Sequence, residues 1–218
     1  MNILLTLLSN REPWQTTLIF AAVIITAFLV YMLVKKYKEG GSHKNHAGKN
    51  DHDRSIKILK RILGAYIKRS DGRVIYSAEV KGIKTSGSAD AILIGYFGVL
   101  VLIGCDLSGE LYANEKDENL TQIIKKERKQ HENPVIMALS AQKAVTELLR
   151  EKKIYRVTVE SAVIFTGKKS IPNISGPIKH YTGKTLGKAL KSEKFLEDKG
   201  VNTDITAEAL LGWRLTES

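Results

Sequence analysis

The apolar and polar positions divide the chain into an unbroken apolar run, a polar stretch and a long region of alternating periodicities. From Thr16 to Val34 nineteen successive residues carry no charge, and Lys35, Lys36 and Lys38 follow at once. About twenty apolar residues at roughly 1.5 Å rise match the roughly 30 Å hydrocarbon core of a bilayer. A helix satisfies its own backbone there. The run predicts one transmembrane helix over 16–34, behind a short extracytoplasmic N-terminus, 1–15. Lysines on its C-terminal flank place the rest of the chain on the cytoplasmic side of the membrane. Residues 35–52 are rich in Gly, Lys, Asn and His, show no apolar periodicity and read as a flexible basic linker. Its histidines, His43, His46 and His52, read as part of a solvated tether rather than as metal ligands.

From Asp53 onward the periodicities are those of a folded domain. Asp53 is a good N-cap, and Ile56, Leu59, Ile62, Leu63, Tyr66 and Ile67 share one helical face. Ser70-Asp71-Gly72 ends that helix. Strand-like runs follow at 74–80, 89–94 and 99–103, the last two joined by Gly95-Tyr-Phe-Gly98 as a hairpin, with a short strand at 110–113. Residues 114–132 are densely charged and predict a surface excursion. Pro134 opens a helix whose Ala138, Ala141, Val145, Leu148 and Leu149 lie on one face. The β-branched run 157–166 predicts a central strand. Helices are expected at 185–196 and from Thr206, as N-cap, to Trp213. The sum is an α/β domain, a central mixed sheet flanked by helices.

Charge adds a partner class. The formal net charge is +11, and residues 1–34 contribute one Arg and one Glu, so the whole excess belongs to the cytoplasmic part. Anionic partners are favoured, either nucleic acid or the lipid headgroups of an acidic leaflet. The candidate contacts are Lys125, Lys126, Arg128, Lys129, Lys168, Lys169, Lys179, Lys184 and Lys188. For each of them a solvated face is the default reading. The single cysteine, Cys105, excludes an intramolecular disulfide and reads as a small buried hydrophobe. Gly183-Lys184-Thr185 imitates the end of a phosphate-binding loop, but Ile178 stands where the first glycine belongs, and that reading fails.

The order of elements, from about Asp53 to about Leu190, resembles the nuclease-related (NERD) domain, a branch of the restriction-endonuclease-like fold. The residues that carry the resemblance are Asp53-Arg-Ser-Ile56-Lys-Ile-Leu59 opening a helix, and Ser88-Ala89-Asp90-Ala91-Ile92-Leu93-Ile94 in a strand. Gly98 through Gly109 follows, then Asn133-Pro134-Val-Ile-Met137 and a strand ending Ala162-Val-Ile-Phe165-Thr166. The resemblance delimits a domain over 53–190 and leaves 191–218 as a C-terminal helical extension. It implies a Mg²⁺-dependent phosphodiesterase site built on an aspartate, a Glu-x-Lys pair and a glutamine. Here the aspartate is Asp90, while the glutamate falls on Ile103, the lysine on Cys105 and the glutamine on Met137.

Carboxylates are needed to hold such a cation and activate water, and neither Ile103 nor Cys105 is a hard-cation ligand. With strand alternation of two, Ile103 and Cys105 share a face, expected to be that of Asp90, and Asp106 is out of phase with them. No catalytic residue and no cofactor is therefore assigned. Asp90, with Asp53 beside it, reads as a vestigial ion site or as a strand-end aspartate without a metal. The expectation is an inactive binding or scaffold module. Two alternatives stay open: a divergent Mg²⁺-dependent nuclease with a relocated acidic cluster, and a partner-binding domain for an unknown protein of a membrane complex.

Overall fold

The computed structural model describes residues 49–211, together with Ile25, Thr26 and Phe28, so the expected span over 16–34 lies almost wholly outside the described residues. Among the described residues no helix is long and apolar enough to cross a membrane.

Helix α1, Lys49–Ile67, opens the domain. It begins four residues before Asp53, so Asp53 lies within the helix rather than at its cap and the end of the expected linker is helical. Strands β1 (Arg73–Lys81), β2 (Ser86–Gly95) and β3 (Gly98–Cys105) form an antiparallel meander. Strand β7, Val159–Phe165, joins β3 in parallel, and β9, Lys179–Thr182, joins β7 in parallel. The five-stranded order is β1-β2-β3-β7-β9, which places β7 inside the sheet as its β-branched run predicts.

The two faces of this sheet bury different residues. Leu59, Leu63 and Tyr66 of α1 pack with Ala91, Leu93, Leu100, Leu102, Ala162 and Ile164 on one side. Helix α2, Pro134–Glu151, puts Ala138, Ala141, Val145, Leu148 and Leu149 against Ile92, Ile94, Val101, Ile103 and Val163 on the other. The helices thus use the apolar stripes that their 3.6-residue period predicts. Asn133 caps α2: its side-chain oxygen accepts from Val135 N–H at 3.0 Å, and its amide donates to the Asn114 and Asp117 carbonyls at 2.8 and 2.6 Å.

The segment 114–132 corrects the sequence reading. It is no loose excursion but carries β5 (Asn119–Ile124) and β6 (Glu127–Glu132), a hairpin in a second sheet ordered β6-β5-β4-β8, with β4 at Gly109–Ala113 and β8 at Ser170–Ile174. The hairpin turns at Lys125 and Lys126, both at positive φ (58° and 139°), where a Gly or Asn would signal the turn. Three further readings move. The helix expected over 185–196 is two short ones, α3 (Gly183–Ala189) and α4 (Glu193–Leu196), and the last helix, α5, is described over Thr203–Leu211, its expected end at Trp213 lying outside the described residues. Asn202 caps α5, its side-chain oxygen accepting from Asp204 and Ile205 N–H at 3.1 and 3.0 Å, and Thr206 is buried within the helix.

The sheets are joined by a parallel pair that crosses from one to the other. Beyond Cys105 and Phe165 both strands break and resume as β4 and β8, again parallel. The two connections run side by side, with Thr166 N–H donating to the Cys105 carbonyl at 2.9 Å and Gly109 N–H to the Lys169 carbonyl at 3.3 Å. A Cβ on Gly167 would stand 2.0 Å from the Leu107 oxygen, so only glycine allows this approach. The break leaves the ends of β3 and β7 buried against α1, where Ser55 meets Thr166 and Gly104.

Candidate functional site

The chemistry-bearing side chains gather where β3 and β7 end beneath α1. Sheet alternation is interrupted in β1 and β2. Ile75 and Ala78, three residues apart, both join the α2-side core, and so do Ala89 and Ile92. The registers Tyr76↔Ala91 and Ala78↔Ala89 set Ser77, at φ 51°, opposite Asp90. The paired slip turns Asp90 away from α2. Its Oδ2 accepts from Gly104 N–H at 2.5 Å and lies 3.2 Å from where a Gly104 Cβ would stand, beside Ser55 of α1.

Asp106 comes to the same side. Its Oδ1 accepts from the Thr166 hydroxyl at 3.0 Å and its Oδ2 from the Arg54 guanidinium at 3.3 Å. The Ser55 and Thr166 hydroxyls are 2.7 Å apart. Since Thr166 spends its proton on Asp106, Ser55 is the donor in that contact. The Asp106 side chain is 2 % exposed while that of Arg54 is 43 % exposed, so a mostly buried carboxylate is neutralised by a cation reaching in from solvent. Arg54, Ser55 and Thr166 lie within segments that carry the family resemblance, but the sequence assigns none of them a role. Only their helix and strand-end positions, read together with the crossing of the sheets, bring them to Asp106.

The positions singled out by family resemblance go elsewhere. Ile103 and Cys105 belong to the α2-side core, and Met137 packs partly buried against it. The expectation that Asp90 shares their face is therefore reversed, whereas Asp106 does lie out of phase with them: Asp90, Gly104 and Asp106 are together on the α1 side. Asp53 is exposed on α1, next to the Arg54 and Ser55 that make the contacts.

Cys105 is 8 % exposed, and burial pushes its thiol up to about 12, with smaller contributions in the same direction from the Asp106 and Asp90 carboxylates. A hydrogen bond from the Leu107 backbone opposes them. The folded pKa lies above the unfolded one, so this group's contribution to stability is intact below about pH 9 and is lost as pH rises from there towards 12. The thiol is expected to resist a disulfide reagent at pH 8 in the native protein and to react fully in denaturant. Prompt native reaction would show that the β3 end opens to solvent.

The donor set does not fit a hard divalent cation. Both Asp106 oxygens accept from protein donors, one of them a guanidinium that supplies positive charge where the ion would sit. Among the described residues no group of three or more His, Cys, Asp or Glu side chains is placed to hold a metal ion.

The predicted basic residues fall in several places. Lys125, Lys126, Arg128 and Lys129 are exposed around the tip of the β5–β6 hairpin. Lys169 and Lys184 line an open cleft of about 560 Å³ with Arg61, Thr166, Ser170 and Thr182, and exposed Lys168 adjoins it in the β7–β8 turn. Lys184 and Lys188 line a second hollow of about 630 Å³ between α1 and the α3–α4 segment. Lys179 instead pairs with Glu160 at 3.6 Å.

A family model described as a nuclease-related domain matches residues 47–166, more than half of the chain, covering α1 through the end of β7 and Thr166. No curated protein and no solved structure matches.

Proposed function

Because this chain belongs to the nuclease-related domain family, we propose that it keeps the family's scaffold as a binding module without the family's phosphodiester chemistry. The observation that carries this reading is the fate of the resembling positions. Ile103 and Cys105 are sealed in the apolar core beneath α2, and the carboxylate two residues beyond Gly104 is neutralised by Arg54. A phosphodiesterase of this type needs carboxylates free to take a divalent ion and a cation free to meet the developing charge. Here the carboxylate and the cation are spent on each other. The module is held at a membrane by a single helix over 16–34, with the domain on the cytoplasmic side, a reading that rests on the uncharged run and the lysines that follow it. Its basic surface serves an anionic partner.

The enzyme reading has one observation of its own: Asp90 and Asp106 lie on one side of the sheet. The test is incubation of the detergent-solubilised full chain with supercoiled plasmid and Mg²⁺ or Mn²⁺. No nicking above a no-protein control is expected. Nicking that disappears in the Asp90→Ala and Asp106→Ala variants would overturn the inactive reading and establish a relocated site.

A further inference from the structure

We propose that the groove between α1 and the α3–α4 segment docks the headgroup region of an anionic phospholipid. The inference rests on the membrane-anchored reading above and names the partner of its basic surface. Arg61 and Arg69 of α1, with Lys184, Lys188 and Lys191, line the larger hollow, and Arg61 and Lys184 also line the adjoining cleft with Lys169. Among the described residues no acidic one lines either cavity. Among the described residues none of these six cations has a carboxylate within ion-pair reach, whereas Arg54, Arg73, Lys179, Lys194 and Lys199 each have one. Six clustered cations without counter-charge repel one another and gain most from an anionic surface.

The walls decide which surface. The larger hollow is lined between its cations by Ile62, Ala65, Leu190 and Leu196, and Leu196 is 58 % exposed at its edge. Among the described residues the aromatic rings that reach the two cavities are Tyr66 and Phe165, 7 % and 2 % exposed, and the Tyr66 hydroxyl donates to the Phe195 carbonyl at 2.7 Å. Neither ring offers a face on which a base could stack, the usual platform for single-stranded nucleic acid. An apolar floor, a protruding leucine and a cationic rim are the complement of a lipid's upper chain, glycerol and phosphate. On the anchored reading, the fourteen residues 35–48, at most about 50 Å when fully extended, tether the domain within reach of the bilayer.

The experiment places the full chain in nanodiscs of phosphatidylcholine with and without phosphatidylglycerol and follows amide hydrogen exchange. Slower exchange over 61–69 and 183–196 in the anionic discs is expected, reversed by high salt. Each cation near an anionic surface accounts for roughly fivefold in affinity. The variant Lys184→Gln/Lys188→Gln/Lys191→Gln should therefore abolish the difference while leaving exchange in the β2–β3 core unchanged. Exchange identical in both disc types overturns the proposal. So does salt-dependent binding of a 20-nucleotide single strand that the triple variant removes, with no lipid dependence, because the groove is then a nucleic-acid track. A chain that stays out of the discs sinks the anchor instead. Flotation with phosphatidylglycerol vesicles but not with phosphatidylcholine vesicles then supports the groove independently, and flotation with neither overturns it. Plasmid cleavage would overturn the inactive reading without touching the lipid dependence.

Discussion

Replacing Gly104 with valine is expected to cost about 1–3 kcal/mol or more, read as a fall in the urea midpoint with an unchanged slope. The reason is contact, not backbone freedom. A Cβ at Gly104 would stand 2.6 Å from the Ser55 Cβ and 3.1 Å from its hydroxyl. The Ser55 Cβ is fixed to helix α1 and cannot rotate aside, so α1 itself must lift from the strand. That movement breaks the Ser55–Thr166 hydrogen bond and loosens Leu59 and Leu63, both fully buried against the sheet. Gly64, in the same helix, is the internal control, because a Cβ there meets nothing within 4 Å. Its replacement by alanine is expected to stabilise by about 0.5–1 kcal/mol through helix propensity. A Gly104→Val variant as stable as the parent would mean that α1 does not close on β3 as described.

The second large effect is at Asp90. Its carboxylate is buried and accepts the Gly104 N–H. Asp90→Ala leaves that donor without its acceptor and is expected to cost about 1–3 kcal/mol. Asp90→Asn keeps an acceptor in place and is expected to cost less. A carboxylate retained for an ion that is not bound would behave in the opposite way, since burying an uncompensated charge opposes folding and its removal is a relief. Thermal melts of the two variants beside the parent separate the cases. An Asp90→Ala protein more stable than its parent would remove the structural role assigned here.

How much of this was legible in the residues varies with the physics of each element. Helices α1 and α2 and strands β3 and β7 declare themselves because each buries a regular stripe or run, and a stripe is what periodicity measures, while β1 and β2 show as apolar runs despite the slip between them. The β5–β6 hairpin hides for the opposite reason. Strand β6, Glu-Arg-Lys-Gln-His-Glu, is an edge strand with hardly a buried position, and its partner buries only Leu120 and Gln122. Its charges suit an edge strand, where they discourage pairing with another chain, but they read as loop in one dimension. Strand β9 is four residues long and takes its place only through parallel pairing with β7, a contact distant in sequence.

The site was less legible than the fold. Period-two alternation correctly puts Ile103 and Cys105 on one face and Asp106 on the other. It fails at Asp90, because the slip opposite Ser77 reverses the face on which the aspartate emerges. A left-handed serine in mid-strand has no sequence signal. Arg54, Ser55 and Thr166 lie in segments that carry the family resemblance, but only the end-on meeting of α1, β3 and β7 brings them to Asp106. That Ile103, Cys105 and Met137 are not hard-cation ligands was visible directly, because it depends only on which residue types stand there.

The central claim is that this scaffold holds no divalent cation at the Asp90–Asp106 side of the sheet. The most direct measurement titrates Mn²⁺ into the full chain and follows the electron paramagnetic resonance of the free ion. The predicted result is a free-ion signal that does not change when Asp90 and Asp106 are both replaced by alanine. A saturable loss of one equivalent of free Mn²⁺ that vanishes in the double variant would contradict the account.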